Sequence, residues 1–469
     1  MARKYFYSHD EDSDEIVKKY EDFVSGVSPA GYFDVEEFET IIDHYLFLEN
    51  IDVGNKVLEM GLKQHPTSSE LQAKRAKIHL LRDDPHGAFD ILTSLTEQDD
   101  YDVVLLKIDA LLKMERDDEA IAVYEHFFAT INSNSYLIES AYLNVAQVYM
   151  HYRKYDKALK LLEKGNEINP RSIDILFEIS HCYEHLQNID KALEVQLHIT
   201  EINPFVSEAW FNLGQIYLSM QNYTKAIDAY DYAIAINPKD MHSCLQKAHI
   251  LLQLERYHEA IEIYVECAET TDSDDNKALI YGYIGECYEY LKDSTKAVLY
   301  YQKSLELEPE SYDSLVGLGL CMLEQEKYSE GMVYLQKAIE IEPEFYEAYT
   351  YLAEGYIGLD DLENALLAYQ KSLEYEPNQP ETLVAVGNIL LEQEDFVSAL
   401  LCYQVAYEQN RELEQVHLFL AIGYFKLEQF EESIAHLLEA VTADSEALSA
   451  FLEICPEAAD LMGIGDKAK

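Results

Sequence analysis

The sequence predicts an all-α solenoid, a chain of helix–turn–helix units stacked one on the next. Prolines return at a fixed step: Pro170, Pro204 and Pro238 stand 34 residues apart, and Pro309, Pro343 and Pro377 resume that step. Each closes a similar phrase, EINP at 167–170 and 201–204, AIAINP at 233–238, ELEP at 306–309, EIEP at 340–343 and EYEP at 374–377. Between prolines lie two helix-length patterns with apolar residues at i, i+3, i+4 and i+7. Proline cannot continue the second helix, and it directs the chain into the turn that begins the next unit.

The unit that starts at Ser207 shows the packing logic. Its first helix offers Trp210, Leu213, Gly214 and Tyr217 on one stripe, and its second offers Ala226, Tyr230 and Ala233. The small residues let the two helices approach, and the large ones fill the space around them. Residues 207–240 thus read W-x-x-L-G-x-x-Y, then A-x-x-x-Y-x-x-A, then P. This pattern and its period resemble the tetratricopeptide repeat family, whose 34-residue unit is a helix–turn–helix. The resemblance implies a right-handed superhelix with a concave groove lined by the first helices.

Carried outward, the same frame gives units starting near Val35, Ser69, Tyr101, Glu139, Ile173, Ser207, Met241, Ala278, Tyr312, Tyr346, Pro380 and Glu414. That is about twelve units over 35–447. Residues 1–34 form an acidic tail with a short helix, EIVKKYEDFVSG at 15–26. The units at 69–138 depart most from the pattern, with Lys107 and Ile108 where an apolar and a small residue belong, and an extra loop, INSNSYL, follows. A further three residues are inserted near TTDSDDN, because Pro238 and Pro309 are 71 apart. Arg411 and Ser445 replace the closing proline in the last two units. Residues 448–469 read as a capping helix over 448–462, which an open solenoid needs to shield its last unit, and then a fraying tail.

The charge narrows the partners. With 35 Lys and Arg against 88 Asp and Glu, the formal net charge is −53. Such a surface repels phosphates and anionic membranes, which argues against nucleic acid and membrane partners. It reads either as a solvated outer face or as the complement of a basic partner. The start, MARKYFYSHDEDSDEIVKKY, turns acidic where a signal peptide needs an apolar core. No run of about 18 apolar residues occurs. The seven cysteines include no C-x-x-C pair, and Cys182, Cys287 and Cys321 recur at equivalent places in their units. They read as small packing side chains in a reducing compartment, and a cytoplasmic location follows.

Catalytic motifs are missing: no glycine-rich phosphate loop, no G-x-S-x-G and no H-E-x-x-H. The acidic pairs Asp83-Asp84, Asp99-Asp100, Asp117-Asp118 and Asp360-Asp361 fall between helices, where they favour chain reversal and cap the next helix. His181 and His185 in HCYEH share a helical face. Two ligands do not make a metal site, so neither metal nor cofactor is expected.

With the packing stripe of each first helix assigned, a second stripe remains. In the unit at Ser207 it carries Glu208, Phe211, Asn212 and Gln215. Neighbouring units contribute Asn144, Gln147 and His151, then Asp174, Phe177, His181 and His185, then His242, Gln246 and His249. The resemblance implies that this face lines the groove; amides, histidines and phenylalanines there suit a peptide backbone with aromatic side-chain contact. Further along, the face turns acidic, with Glu286, Glu289, Glu347 and Glu354 prominent. Some family members clamp a partner's C-terminal carboxylate with Lys and Asn; the basic partners are absent from the middle units, so no such clamp is expected. The chain therefore reads as a non-catalytic scaffold or adaptor that binds a protein or peptide partner of basic character. The alternative is a regulatory subunit, or a holdase-type chaperone for a basic client. Oligomeric state is not legible.

Overall fold

The computed structural model describes residues 11–27, 31–96, 100–130, 135–413 and 415–461. The fold is an all-α solenoid of helix–turn–helix pairs, and every regular element among the described residues is a helix. The chain divides into two compact units, Met1–Asn237 and Pro238–Lys469.

In the first unit α1 (Glu11–Val24) precedes a series of pairs: α2 (Val35–Phe47) with α3 (Ile51–Gln64), α4 (Ser69–Leu81) with α5 (Pro85–Ser94), and α6 (Tyr101–Lys113) with α7 (Asp117–Thr130). Next come α8 (Ser135–His151) with α9 (Tyr155–Ile168), α10 (Ile173–His185) with α11 (Ile189–Ile202), and α12 (Ser207–Ser219) with α13 (Tyr223–Ile236).

The second unit pairs α14 (Met241–Gln253) with α15 (Tyr257–Thr270), α16 (Asp274–Tyr290) with α17 (Ser294–Leu307), and α18 (Tyr312–Glu324) with α19 (Tyr328–Ile341). It continues with α20 (Tyr346–Gly358) and α21 (Leu362–Tyr375), α22 (Pro380–Glu392) and α23 (Phe396–Gln409), and α24 (Val416–Lys426) and α25 (Phe430–Ala443). Two short helices, α26 (Ala447–Ile454) and α27 (Ala458–Leu461), follow.

Local chemistry sets these boundaries. Asp34 opens α2 with a capping box: its side chain accepts the Glu37 N–H, and Glu37 accepts the Asp34 N–H at 2.9 Å. Asp84, Asp100 and Asp361, from the acidic pairs, each accept a backbone N–H of the helix they precede. Asp117 does otherwise, binding Lys154 and Lys157 of the following pair at 2.5 and 2.8 Å. Within each pair the chain reverses through one left-handed residue: Glu49, Asp83, Glu115, Arg153, Gln187 and Gln221 in the first unit, and Glu255, Lys292, Glu326, Asp360, Glu394 and Glu428 in the second, with φ between 56° and 65°. The next N–H reaches back five residues, as in Asn222 to the Tyr217 carbonyl at 2.8 Å, which satisfies a helix-end acceptor. Second helices stop before proline, where Asn169, Asn203 and Glu308 leave the helical conformation.

Three segments differ from the 34-residue frame. α8 and α16 are 17 residues long and begin at Ser135 and Asp274, so the residues inserted ahead of them are largely wound into an extra first turn. Ser273 caps that turn by accepting the Asn276 N–H. Residues 131–134 of the INSNSYL loop lie outside the described residues. The closing segment is two helices, broken at Pro456, which has no N–H to give. α1 starts at Glu11, four residues before the 15–26 span, and Lys107 and Ile108 are both inside, 7% and 0% exposed.

The interior runs between paired helices. Ala226, Tyr230 and Ala233 of α13 are fully buried, as are Cys182, Cys287 and Cys321 in their first helices. All seven cysteines are free.

Candidate functional site: the open faces of the first helices

The first helix of each pair buries one stripe and leaves another open. His151, Asp174, His181, His185, Glu208, His242, His249 and Glu354 are exposed. Asn144, Gln147, Phe177, Phe211, Asn212, Gln215, Gln246, Glu286, Glu289 and Glu347 are half-buried. Those from Asn144 to Gln215 lie on α8, α10 and α12 of the first unit; those from His242 to Glu354 lie on α14, α16 and α20 of the second.

On the first unit the face is already knitted together. Asn144 Nδ2 donates to the Tyr101 hydroxyl, whose burial pushes its pKa up to about 12. Gln147 Nε2 donates to Glu178 Oε1 at 2.8 Å, and Glu178 Oε2 lies 3.8 Å from His181 Nδ1. His181 and His185 bring their Nε2 atoms to 2.9 Å, and the His185 ring stacks on Tyr155 at 4.2 Å. Phe177 packs beside Leu176, Ile199 and Ala209. Phe211 tilts against buried Tyr230, with centroids 5.9 Å apart. It belongs partly to the packing, contrary to its place on a purely open stripe.

On the second unit His249 Nε2 lies 3.4 Å from Gln253 Nε2 within α14. The carboxylates then dominate. Burial raises the pKa of Glu286, with the nearby Asp313 charge adding to it. Burial also raises Glu289, although the Tyr301 hydroxyl donates to Glu289 Oε2 at 3.0 Å and counters part of the shift. Among the described residues, Glu347 Oε2 and the Tyr312 hydroxyl are buried without a hydrogen-bond partner. Half-buried carboxylates among tyrosines favour cations, since a positive charge relieves both the desolvation and the mutual repulsion.

Sequence reasoning missed Tyr101, Tyr155 and Glu178. Gln147 meets Glu178 across successive first helices, 31 residues on. The repeat itself held that signal, because Glu178 occupies in its unit the place of Asn144 and Asn212.

No group of three or more His, Cys, Asp or Glu that could hold a metal occurs among the described residues, and no described helix is long and apolar enough to cross a membrane.

Profiles described as tetratricopeptide repeat match residues 139–172, 173–205, 207–240 and 241–310. A profile described as anaphase-promoting complex, cyclosome, subunit 3 matches residues 358–440. No catalytic family is among these matches, and no curated relative matches the sequence. Similar solved structures include a tetratricopeptide repeat protein from Parabacteroides merdae, at 19% identity over 54% of this chain and 98% of that one, with a TM-score of 0.44. The APC/C hetero-tetramer Cut9–Hcn1 matches at 13% identity over 94% of this chain and 92% of that one, with a TM-score of 0.41. YrrB, described as a tetratricopeptide protein with an unusual peptide-binding site, matches at 18% identity over 41% and 98%, with a TM-score of 0.35. With its helix pairs, its left-handed turns and its repeat matches, the chain belongs to the tetratricopeptide repeat family.

Proposed function

We propose that this protein is a non-catalytic scaffold or adaptor that holds a partner segment against the open faces of its first helices. The observation that carries the reading is the two-faced character of α10, α12 and α14: each buries one stripe and leaves amides, histidines or carboxylates open at equivalent places. On the first unit a peptide backbone would meet Asn212 and Gln215, and on the second, separately, Gln246; each of these amides can both donate and accept. Basic side chains would go to Glu286, Glu289, Glu347 and Glu354. A cytoplasmic location is part of this reading, as is the absence of nucleic acid and membrane partners. The same faces would serve a regulatory subunit or a holdase for a basic client; a defined partner at fixed stoichiometry separates the scaffold from the holdase.

A second reading has its own observation. On the solvent side of the second helices, Leu299, Val333, Leu367 and Leu401 recur every 34 residues and are 49%, 50%, 55% and 60% exposed. The equivalent places in the first unit hold Lys160, Glu194 and Asp228. Single exposed aliphatics are ordinary, but a row in register suits a docked apolar partner. A photo-crosslinking residue placed at Gln215 or Gln246, and separately at Gln302 or Gln336 on the outer side, decides between them. Capture of a native partner from the first pair only is expected; capture from the outer pair only would transfer the function to the second helices.

A further inference from the structure

Two imidazoles on α10 meet at their Nε2 atoms. His181 and His185 are about one helical turn apart, and their Nε2 atoms are separated by 2.9 Å. A neutral imidazole has one N–H and one lone pair, so such a pair either shares a proton or turns both lone pairs towards an ion. The observed separation is the length of an N–H···N hydrogen bond, and loss of the shared proton to solvent would turn both lone pairs to one ion.

The surroundings hold the rings for this role. Glu178 Oε2 faces the far nitrogen of His181, Nδ1, at 3.8 Å, and Glu178 Oε1 is itself bonded by Gln147 at 2.8 Å. At that distance the carboxylate is beyond hydrogen-bond reach and acts on the ring through its charge, which favours a bound cation. Tyr155 lies flat on the His185 ring, 5° from parallel. Both histidines are exposed. Spacing alone gave no site; the close approach of the two nitrogens and the negative charge beside one of them add to it.

We propose that His181 and His185 form a two-histidine site for a divalent late transition-metal ion, Cu(II) ahead of Ni(II) and Zn(II). The order follows the general affinity series. The remaining coordination positions take water or, if the first-helix face holds a partner segment as proposed above, a donor from that segment. The ion titration tests the site without any partner, so it stands or falls separately from that reading.

The test is calorimetric titration of the full chain with Cu(II), Ni(II) and Zn(II) in a non-chelating buffer, with electron paramagnetic resonance of the Cu(II) form. One ion per chain in the tightest class is expected, with nitrogen splitting in the spectrum. Affinity for that ion should fall at least tenfold in His181→Ala and in His185→Ala. Should the second variant disturb the Tyr155 stack, His181→Gln, which leaves the stack alone, gives the same answer. A second close pair, His417 and His436, has its Nδ1 atoms at 2.9 Å; His417→Ala with His436→Ala should leave the tightest class intact. Undiminished Cu(II) affinity in the His181→Ala, His185→Ala double variant would overturn the proposal, as would a spectrum without nitrogen splitting.

Discussion

The Tyr230 ring occupies the space that a side chain at Gly214 would need: a Cβ there would lie 2.4 Å from Tyr230 Cε1. The contact joins α12 to α13, and the ring is fully buried. Gly214→Leu must therefore displace an aromatic ring from a packed interface, at a cost on the order of 1–3 kcal/mol or more. Thermal unfolding should show the loss, and hydrogen exchange should place it in the first unit. An unchanged melting temperature would mean that the helix contact is misassigned.

The same ring supplies a second test with the opposite sign. The Tyr230 hydroxyl is buried and has no hydrogen-bond partner among the described residues. An unmet buried hydroxyl costs roughly 1–3 kcal/mol. Tyr230→Phe removes it and keeps the ring, so stability should stay level or rise. A clear fall in the denaturant midpoint would show that the hydroxyl is satisfied in solution.

The turns between paired helices make a third prediction. Glu326 sits at φ 61° between α18 and α19, where glycine has no side-chain penalty. An L-residue in this conformation is disfavoured by about 1–2 kcal/mol, and glycine gives back about 0.5–1 kcal/mol in backbone entropy. Glu326→Gly should thus stabilise by up to about 1 kcal/mol, while Glu326→Val should destabilise, because a β-branched residue tolerates this region worst. Chemical denaturation of the two variants checks the order.

Acidity makes the fourth. Burial raises the pKa of Glu286 and Glu289 above the ordinary value of 4.5, so their charged forms are disfavoured in the folded state. Their contribution to stability is full below the unfolded pKa and is lost as pH rises through the folded pKa. At neutral pH they therefore oppose folding. Glu286→Gln should raise the melting temperature at pH 7 and have little effect near pH 4, measured against wild type under the same conditions. Equal shifts at both pH values would assign the effect to packing.

Much of the fold was legible because its signals are local and repeated. Pro204 and Pro238 mark helix ends, and the stripes through Leu213, Gly214, Ala226 and Tyr230 mark the buried faces. What escaped depended on relations between elements. The step of 34 runs unchanged from Pro204 to Pro238, so nothing in the sequence signals the division after Asn237. An insertion reads as a loop in sequence, but at Asp274 its polar residues cap and extend a helix. The open face was legible by residue type, while its bonds were not: Gln147 to Glu178 needs the register of successive helices, and the meeting of His181 with His185 needs their side-chain conformations.

The last prediction concerns the faces themselves. Phe211 leans on Tyr230, so Phe211→Ala should lower both stability and partner affinity and cannot by itself separate the two. Asn212 and Gln215 are half-buried and His249 is exposed, none belonging to the buried stripe, so changing them to Ala should weaken a native partner severalfold with almost no change in melting temperature. Reversing Glu347 and Glu354 to Lys should slow association with a basic partner, because surface charge chiefly sets encounter rates. The slowing should shrink as salt rises past about 0.1 M, where the Debye length is about 10 Å. Placing Asp at Leu299, Val333, Leu367 and Leu401 should leave binding unchanged, since these side chains point away from the first-helix face. Surface plasmon resonance on one partner across these variants weighs the two faces directly. Loss confined to the Asp variants would make the outer aliphatic row the working surface and remove the role assigned to Asn212, Gln215 and His249.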